Sequence, residues 1–505
     1  MTAAAEGPAP AVGRAVSRAV GRAVEPAGEA ADEKAAEQWD AVVVGGGLAG
    51  LVAARELVRG GLRTLVVEGR DAVGGAVRGH VVAGLELDAG AESFATRGGT
   101  VAAYLDELGI GDRVVAPSGL GSWVHLPSGD GPLPQTGLLG IPSQPWAADV
   151  RRTLGVLGAA RAALDLVLPA RVAAGATTLG GLVRARMGAR VVDRLVRPVV
   201  GGVHAAEPDE LAVDAVAPAL PAAVRESRSL ARAVRSLRAA APAGSAVQGL
   251  DGGVHVLVET LAAQVSNGGG TIRARTRATA ARPADDEPGE VLVTLADGSS
   301  VRTGRLVVAG PQALDVLAGV LDLGDVALDE GADVRLVTLV LDAPALDAAP
   351  RGTGVLVGRD VTDVRAKALT HATAKWPWLA RRAPAGRHVV RLSYGRADEE
   401  VAAGPGLGDP GALVALALAD ASVLLGVPVR DEQVVATSVV RWTQALPRPS
   451  ARHRDAVATV RAALAAARPG GARVAACGAW LAGNGLASVI PDAVAAGRAV
   501  LTPEL

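Results

Sequence analysis

The chain contains very little cysteine and no long hydrophobic run. Cys477 is the only cysteine among 505 residues, which excludes an internal disulfide and a two-cysteine redox centre and fits a reducing cytoplasm. Cys477 stands in an apolar run that predicts a strand, so we expect a small buried residue and not a thiol linked to a cofactor. No apolar stretch reaches the length of a membrane-spanning helix, because Arg161 and Asp165 interrupt the best candidate.

Aromatic residues, lysine and net charge are also scarce. Aromatics make up 2% of the sequence and the formal net charge is −1. The core must therefore be built from Val, Leu and Ala, and nothing indicates a nucleic-acid partner. Lysine occurs only at positions 34, 367 and 375. The histidines are scattered singly, without the spacing of metal ligands, so we expect no metal site.

Glycine, by contrast, is abundant, and one glycine-rich loop follows a short apolar run. Ala41–Val44 predicts a buried parallel strand, and a helical pattern runs from Leu51 to Arg59. Between them stand Gly45, Gly47 and Gly50 in G-x-G-x-x-G spacing. In such loops the glycines permit a tight turn, a close approach to a pyrophosphate and close helix packing, while the first helical amides face the phosphates. The stretch predicts a dinucleotide site; a purely structural βαβ unit is the alternative.

A second strand and an acidic residue follow at the spacing that such a site requires. Thr64–Val67 predicts the strand, and Glu68 stands eighteen residues beyond Gly50, where a carboxylate can accept hydrogen bonds from ribose hydroxyls. The pattern continues as Glu-x-Arg-x-x-x-Gly-Gly through Arg70 to Gly74 and Gly75. It resembles the extended signature of FAD-binding oxidases in the glutathione reductase and amine oxidase superfamily. The resemblance implies FAD, held without a covalent bond, and disfavours a nicotinamide dehydrogenase.

The first residues differ in composition from the rest. Residues 1–37 are rich in Ala, Gly, Pro and Arg, with Arg-Ala-Val recurring at 14–16, 18–20 and 22–24. This composition predicts a disordered tail, since it cannot bury enough apolar surface. A targeting peptide is the alternative, although no hydrophobic secretory core is present.

Further motifs resemble, in order, those of the protoporphyrinogen/coproporphyrinogen oxidase family. They are Asp88-Ala89-Gly90-Ala91-Glu92-Ser93, Arg197 to Leu211, Leu250 to Leu257, Arg441 to Pro447 and Gly485 to Arg498. The resemblance spans residues 40 to about 500. It implies FAD-dependent oxidation of coproporphyrinogen III to coproporphyrin III in heme biosynthesis, with oxygen as acceptor and six electrons removed in three flavin cycles. An arginine-rich chain without a membrane anchor favours this substrate over protoporphyrinogen IX, which stays an alternative.

The glycine loop and the resemblance together assign the cofactor site. The predicted FAD-binding residues are Gly45, Gly46, Gly47, Leu48, Ala49, Gly50, Glu68, Gly69, Arg70, Gly74, Gly75, Gly90, Ala91, Glu92, Ser93, Ala278, Gly485, Ser488, Val489 and Ile490. The sequence predicts a helix beginning near Pro491, with Ser488 as its cap. The resemblance implies that this helix aims its positive end at the flavin N1–C2=O edge.

The residues predicted to contact the substrate are indicated by less specific sequence patterns than the cofactor site. Arg97 and Arg441 are candidates to pair with substrate carboxylates, with a solvated surface arginine as the alternative for each. Trp442 and His453 lie in segments specific to the family. No acid–base pair is evident, so no catalytic residue is assigned.

The fold class predicted is α/β with α+β. The chain is expected to form a Rossmann-like FAD-binding domain of the glutathione reductase/amine oxidase type from residues 38–82, 246–318 and 465–505. A sheet-containing substrate domain takes 83–125, 200–245 and 319–464. A helical domain takes 126–199, where Thr177 or Thr178 can cap a helix near Leu179. In the family this helical domain covers the tetrapyrrole pocket and sometimes rests on a membrane, so peripheral membrane contact stays an open alternative.

Two other functions remain open. The first is an amine or carotenoid oxidoreductase on the same scaffold. Amine oxidases commonly frame the flavin with aromatic residues and place a lysine near N5, and both residue types are rare here. The second is a flavin-binding protein without catalysis. Nothing in the sequence indicates an oligomeric state.

Overall fold

The computed structural model describes residues 36–134, 137–169, 171–204, 207–240, 247–311, 314–326, 328, 331, 333–395, 408–443, 451–467 and 471–501. In chain order the strands are β1 (Glu37–Trp39), β2 (Ala41–Val44), β3 (Thr64–Val67), β4 (Gly79–Val82), β5 (Leu85–Asp88), β6 (Phe94–Ala95), β7 (Val114–Val115), β8 (Trp123–Leu126), β9 (Gly129–Pro132), β10 (Gly137–Leu138), β11 (Ile141–Pro142), β12 (Val247–Leu250), β13 (Thr271–Arg273), β14 (Ala278–Pro283), β15 (Val291–Leu295), β16 (Ser300–Thr303), β17 (Arg305–Val308), β18 (Val334–Asp342), β19 (Gly354–Val357), β20 (Ala368–His371), β21 (Arg387–Tyr394), β22 (Val434–Trp442) and β23 (Arg473–Ala476). The helices are α1 (Leu48–Arg59), α2 (Thr100–Glu107), α3 (Ala148–Ala163), α4 (Leu179–Met187), α5 (Ala189–Val191), α6 (Arg197–His204), α7 (Val213–Val216), α8 (Leu220–Ser227), α9 (Leu230–Ala240), α10 (His255–Asn267), α11 (Leu314–Ala318), α12 (Ala372–Lys375), α13 (Pro377–Arg382), α14 (Pro410–Leu425), α15 (Ala451–Ala466), α16 (Ala479–Ala482) and α17 (Leu486–Leu501).

A five-stranded parallel sheet, in the order β13-β3-β2-β17-β23, carries the glycine loop. Strand β2 is apolar throughout because both of its faces are covered. Ala41 and Val43 face one hydrophobic cluster, and Val42 and Val44 face another. The predicted bounds of β2 and β3 are confirmed, and the helix between them begins at Leu48, earlier than expected.

Helices α1, α10 and α17 cover one face of this sheet. Helices α1 and α17 approach closely because Gly497 has no side chain: a Cβ there would lie 2.9 Å from the carbonyl oxygen of Ala53. Helix α2 packs into the same core through Val101 and Leu105. The prediction that placed α2 in the substrate domain is therefore wrong, because its apolar side completes the flavin-domain core.

The other face is covered by a four-stranded sheet, in the order β1-β16-β15-β14, and by α11 and α15. Glu37 pairs with Val301 in this sheet, and its carboxylate lies 2.6 Å from the guanidinium of Arg273. The predicted disordered tail, residues 1–37, therefore extends too far along the chain, because Glu37 already belongs to a strand. Residues 1–35 lie outside the described residues. Helix α15 packs through Val460 against this cluster, so the predicted boundary at residue 465 is too late.

A mixed seven-stranded sheet, in the order β22-β18-β21-β20-β19-β8-β9, forms the second large unit. Helix α14 packs on one face, against Val337 and Leu339 of β18. The opposite face meets the β4–β5 hairpin and the residues that follow it, through Leu336 and Trp442 among others. Strand β9 is the edge of this sheet, so residues 126–132 belong here and not to the helical domain.

Helices α3 to α9 share a third hydrophobic core. Thr178 caps α4 by accepting a hydrogen bond from the Gly181 amide at 3.2 Å, which confirms that prediction. Residues 211–240 pack here through Leu220 and Leu230, so their predicted place in the substrate domain is wrong. In the part of the chain that the structure describes, no helix is long and apolar enough to cross a membrane.

The stretch Thr271–Ala280 divides into β13 and the start of β14. The chain turns at Arg275, whose φ is 54°. The amides of Arg275 and Thr276 donate to the carbonyls of Arg70 and Glu68, at 2.7 and 2.8 Å. These bonds draw the segment out of the sheet toward the end of β3.

Candidate flavin site

The glycine loop closes so tightly that only glycine fits at one of its positions. A Cβ on Gly50 would lie 1.8 Å from the carbonyl oxygen of Gly45, whose own φ is 104°. Gly47 precedes α1 and offers no side-chain cap, and the first turn of α1 carries no acidic residue. The first amides of α1 therefore form a bare positive helix end, which fits a phosphate.

Glu68 closes the loop from the end of β3. Its Oε2 accepts a hydrogen bond from the Gly46 amide at 2.8 Å, and its Oε1 accepts one from the Arg70 amide at 2.8 Å. The Gly74 amide donates to the Gly46 carbonyl at 2.8 Å. The structure thus brings together Gly46, Glu68, Arg70 and Gly74, as predicted for the ribose and pyrophosphate end of the site.

Ala278 reaches this end through the turn that divides β13 from β14. It is buried and begins β14, directly after the residues that bond to Glu68 and Arg70. A Cβ on Gly69 would lie 3.4 Å from Cβ of Arg277. Gly69 and Ala278, both predicted to bind FAD, therefore border the same end of the loop.

Helix α17 brings the C-terminal part of the chain to the same core. The prediction of a helix start near Pro491 is wrong: α17 begins at Leu486, and Pro491 lies inside it. The left-handed φ of 100° at Gly485 lets the chain turn into the helix there. Ser488 is consequently within the first turn, where its amide donates to the Gly485 carbonyl, and it does not cap the helix.

Val489 and Ile490 are buried beside Leu48 and Ala49 in one cluster. The C-terminal helix and the glycine loop thus share a core, which places the predicted residues of both segments side by side.

These residues fit a pyrophosphate-containing dinucleotide. The bare N-terminus of α1 offers backbone donors, and Glu68 offers carboxylate oxygens at the end of the second strand. A Cβ on Gly47 would find no neighbour nearer than 3.9 Å, the Cα of Gly75, so space remains on the side of the loop where a pyrophosphate was predicted. FAD carries both the pyrophosphate and the ribose that such a donor and acceptor set recognises.

Cys477 is fully buried at the end of β23, and its amide donates to the Val308 carbonyl at 3.0 Å. Burial, followed by the nearby Asp492 carboxylate, raises the pKa of its thiol. A protonated, inaccessible thiol cannot attack a flavin, so the prediction of a small core residue is confirmed.

The segment Asp88–Glu92, called the flavin turn below, links the β4–β5 hairpin to β6. Its Ala91 amide donates to the Ala76 carbonyl at 2.9 Å. A Cβ on Gly90 would lie 2.1 Å from that same oxygen and 3.3 Å from Cζ2 of Trp442. The turn is therefore packed between residue 76 and the seven-stranded sheet.

Glu92 is the charged centre of the flavin turn. Its carboxylate lies 2.5 Å from Nζ of Lys375 and 2.9 Å from Nη2 of Arg391. Burial alone would raise the pKa of Glu92, but the charges of Arg391 and Lys375 outweigh it and lower the pKa to about 2. The Glu92 carboxylate is thus charged across the neutral range.

Lys375 and Arg391 are absent from the site predicted from sequence. They lie more than 280 residues along the chain from Glu92, in α12 and β21. The one signal that could have found Lys375 is its rarity, since lysine is scarce in this chain.

Arg441 is not brought to the flavin turn. It pairs with Arg335 across β18 and β22, and successive side chains of a strand alternate between its two faces. Trp442 faces the turn, so Arg441 faces α14, where it pairs with Asp333 at 2.7 Å beside a cavity of about 700 Å³. Arg441 therefore lies on the face of the sheet opposite the flavin turn, and the structure does not bring it together with the predicted flavin-binding residues.

Trp442 does reach the flavin turn, where it is buried and its indole N–H donates to the Ala89 carbonyl at 3.0 Å. Arg97 follows β6, before α2. His453 lies in the first turn of α15, on the flavin domain. Residues 444–450, between Trp442 and α15, lie outside the described residues.

Comparison with known proteins identifies the family. Residues 48–500 match the family described as flavin containing amine oxidoreductase. The chain belongs to this family. The predicted flavin cofactor and the predicted fold class are thereby confirmed.

Two curated relatives are similar to this chain over most of its length, and one solved structure shares its fold. The coproporphyrinogen III oxidase of Mycobacterium tuberculosis is 30% identical over 464 residues, which cover 91% of this chain and 96% of the relative. The coproporphyrinogen III oxidase of Propionibacterium freudenreichii is 29% identical over 495 residues, covering 90% and 89%. A putative protoporphyrinogen oxidase from Exiguobacterium shares the fold, with a TM-score of 0.76 and 22% identity over 92% of this chain and 98% of its own.

Proposed function

We propose that this flavin-family chain oxidises coproporphyrinogen III to coproporphyrin III with oxygen as acceptor. The observation that carries the proposal is the set of relatives with that name, about 30% identical over nine tenths of the chain. Coproporphyrinogen III gives up six electrons and six protons, and three molecules of oxygen take them up to form three of hydrogen peroxide. We place the reaction in the cytoplasm, which the single buried cysteine supports.

FAD, bound without a covalent link, supplies the two-electron acceptor for each of the three oxidations. The chain's share is to bind and orient. The N-terminus of α1 would hold the pyrophosphate, Glu68 would accept hydrogen bonds from the ribose hydroxyls, and the flavin turn would border the ring system. The lack of a reactive cysteine supports the non-covalent link: acid precipitation should release all the flavin into the supernatant, and flavin retained in the pellet would contradict it.

The substrate choice is tested by comparing the two porphyrinogens under identical conditions, with porphyrin fluorescence as the readout. We expect kcat/KM for coproporphyrinogen III to exceed that for protoporphyrinogen IX by about tenfold or more. Coproporphyrinogen carries two more carboxylates, a hydrogen bond to a charged group contributes about 1.5–3 kcal/mol, and tenfold needs only about 1.4 kcal/mol. Equal values, or a preference for protoporphyrinogen IX, would contradict the proposal.

Arg97 is the first candidate for the extra contact, because it follows the flavin turn closely in the chain. Arg97→Leu should reduce the preference for coproporphyrinogen III while the bound FAD is retained. Arg441→Leu is the matched control, because Arg441 faces α14 and should leave the preference unchanged.

A single anaerobic experiment distinguishes the proposed oxidase from a flavin-binding protein without catalysis. Mixing the loaded protein with coproporphyrinogen III should bleach the flavin absorbance within the time of one turnover. Absence of bleaching with this substrate, in protein that retains FAD, would favour the non-catalytic alternative. Bleaching by a primary amine in place of the porphyrinogen would favour the amine oxidoreductase alternative.

A further inference from the structure

The carbonyl groups of the first three residues of the flavin turn are held by side chains of the seven-stranded sheet. Nη1 of Arg391 donates to the carbonyl of Asp88 at 3.1 Å and to that of Gly90 at 2.9 Å. The indole N–H of Trp442 donates to the carbonyl between them, that of Ala89, at 3.0 Å. Three consecutive peptide oxygens thus point toward the sheet.

The amides of the same turn are held from the other side. The Ala89 amide donates to the carbonyl of Arg78, and the Ala91 amide donates to that of Ala76, both at 2.9 Å. The peptide planes of the turn are therefore fixed from two directions, which leaves little freedom of rotation for the turn.

The side chains at the two ends of the turn, Asp88 and Glu92, bind it to the flavin domain and to the substrate domain, respectively. The carboxylate of Asp88 accepts from the amides of Val254 and His255, at 3.0 and 2.9 Å, and so tethers the turn to the start of α10. The carboxylate of Glu92 is tethered to Lys375 and Arg391 of the substrate domain. The turn joins the helix layer of the flavin domain to the sheet that faces it.

We propose that Arg391 and Trp442 are positioning residues that fix the peptide planes of the flavin turn, and thereby set both the affinity for FAD and its reduction potential. The proposal rests on the proposed function in one respect, the contact of this turn with the flavin. Glu92 and Lys375 complete the arrangement, because the Glu92 carboxylate orients the guanidinium of Arg391 through Nη2 while its Nη1 serves the two carbonyls.

The main test substitutes Arg391 and measures flavin properties without any porphyrinogen. Arg391→Met removes three contacts of the turn at once. We expect FAD to bind at least tenfold more weakly to the apoprotein, with a changed visible flavin spectrum and a shifted reduction potential. Arg391→Lys keeps the charge but lacks the planar fork by which the guanidinium reaches two carbonyls and a carboxylate at once, so it should give intermediate values.

Arg387→Met is the matched control. Arg387 is the same residue type in the same strand, β21, but it pairs with Asp342 at the surface, 2.8 Å away. Its substitution should leave the FAD affinity within twofold of the unsubstituted protein and the reduction potential unchanged.

Trp442→Phe keeps an aromatic ring and removes the indole N–H that holds the Ala89 carbonyl. It should weaken FAD binding about threefold and shift the reduction potential in the same direction as Arg391→Met. This variant carries the test if Arg391→Met does not fold.

A purely structural role would lower thermal stability while the reduction potential and spectrum of the bound flavin stay unchanged. That result, in Trp442→Phe and in whichever Arg391 variant folds, would overturn the proposal. Failure of the proposed function would be seen separately, as a lack of porphyrinogen oxidation by the unsubstituted, FAD-loaded protein.

Discussion

At the scale of single residues, the two main glycines of the loop have different reasons to be glycine. A Cβ on Gly50 would lie 1.8 Å from a backbone oxygen of the protein itself. Apart from its chain neighbours, a Cβ on Gly47 would meet no described atom nearer than the Cα of Gly75, at 3.9 Å, and the φ of Gly47, −70°, suits any residue. Gly50 is therefore required by the fold, whereas the fold does not require glycine at position 47, and we attribute that glycine to the proposed pyrophosphate site.

This difference predicts opposite behaviour of two substitutions. Gly47→Val should give a folded protein that does not retain FAD, because the side chain takes the space of the pyrophosphate. Gly50→Ala should impair folding itself, because α1 must move away from β2. Circular dichroism and the flavin content of the purified proteins distinguish the two. A Gly47→Val protein that keeps its yellow colour would contradict the assigned pyrophosphate position.

At the scale of elements, what could be predicted from the sequence was local. Strands β2 and β3 and the Thr178 cap depend on neighbours within a few residues, and their patterns were sufficient. The start of α17 was missed because Pro491 suggested a first helical turn, whereas the positive φ of Gly485 sets the start. Lys375 and Arg391 were missed because only the tertiary fold brings them to Glu92.

Asp165 shows how an element can depend on a residue whose role the sequence hides. In the sequence it merely interrupts an apolar run. In the structure it is fully buried, it pairs with Arg186, and it accepts hydrogen bonds from the amides of Leu230 and Ala231 at 3.0 and 2.8 Å. It therefore caps α9 and neutralises a buried arginine at the same time.

Asp165→Asn should lower the free energy of unfolding of the helical core by about 3–5 kcal/mol, because it leaves the charge of Arg186 buried without its partner. Asp342→Asn is the control: it breaks an exposed pair with Arg387 and should cause no measurable loss. Urea denaturation followed by circular dichroism measures both. Equal stability of the two variants would contradict the role given to Asp165.

At the scale of the whole molecule, the flavin domain and the seven-stranded sheet meet at the flavin turn, and the helical core stands on its own hydrophobic cluster. Boundaries between these units could not be predicted because each unit is assembled from separate chain segments. Residues 211–240 illustrate this. In the predicted division they belonged to the substrate domain, yet their apolar side chains pack in the helical core.

The response of the whole molecule to acid depends on a buried histidine in the seven-stranded sheet. His371 is buried in the seven-stranded sheet, and its Nε2 lies 3.0 Å from Nδ1 of His388, whose Nε2 lies 2.9 Å from Asp347. Nδ1 of His371 has no hydrogen-bond partner among the described residues. Burial, and then the neighbouring His388, lower the pKa of His371 from 6.5 to about 4.

The sign of the effect follows from this lowered pKa. Below pH 6.5 the unfolded chain binds a proton at His371 that the folded chain does not bind until about pH 4. The free energy of unfolding should therefore fall by about 3 kcal/mol over that interval on account of this residue alone. His371→Gln should remove this part of the pH dependence. At His125, burial lowers the pKa, but Asp130 and Asp363 outweigh burial and raise it. His125→Gln should therefore change the pH dependence of stability above pH 6.5. Denaturation midpoints at pH 7, 5.5 and 4.5 compare the unsubstituted protein, His371→Gln and His125→Gln. If stability depended on pH identically in His371→Gln and in the unsubstituted protein, His371 would not be the neutral buried group that the structure indicates.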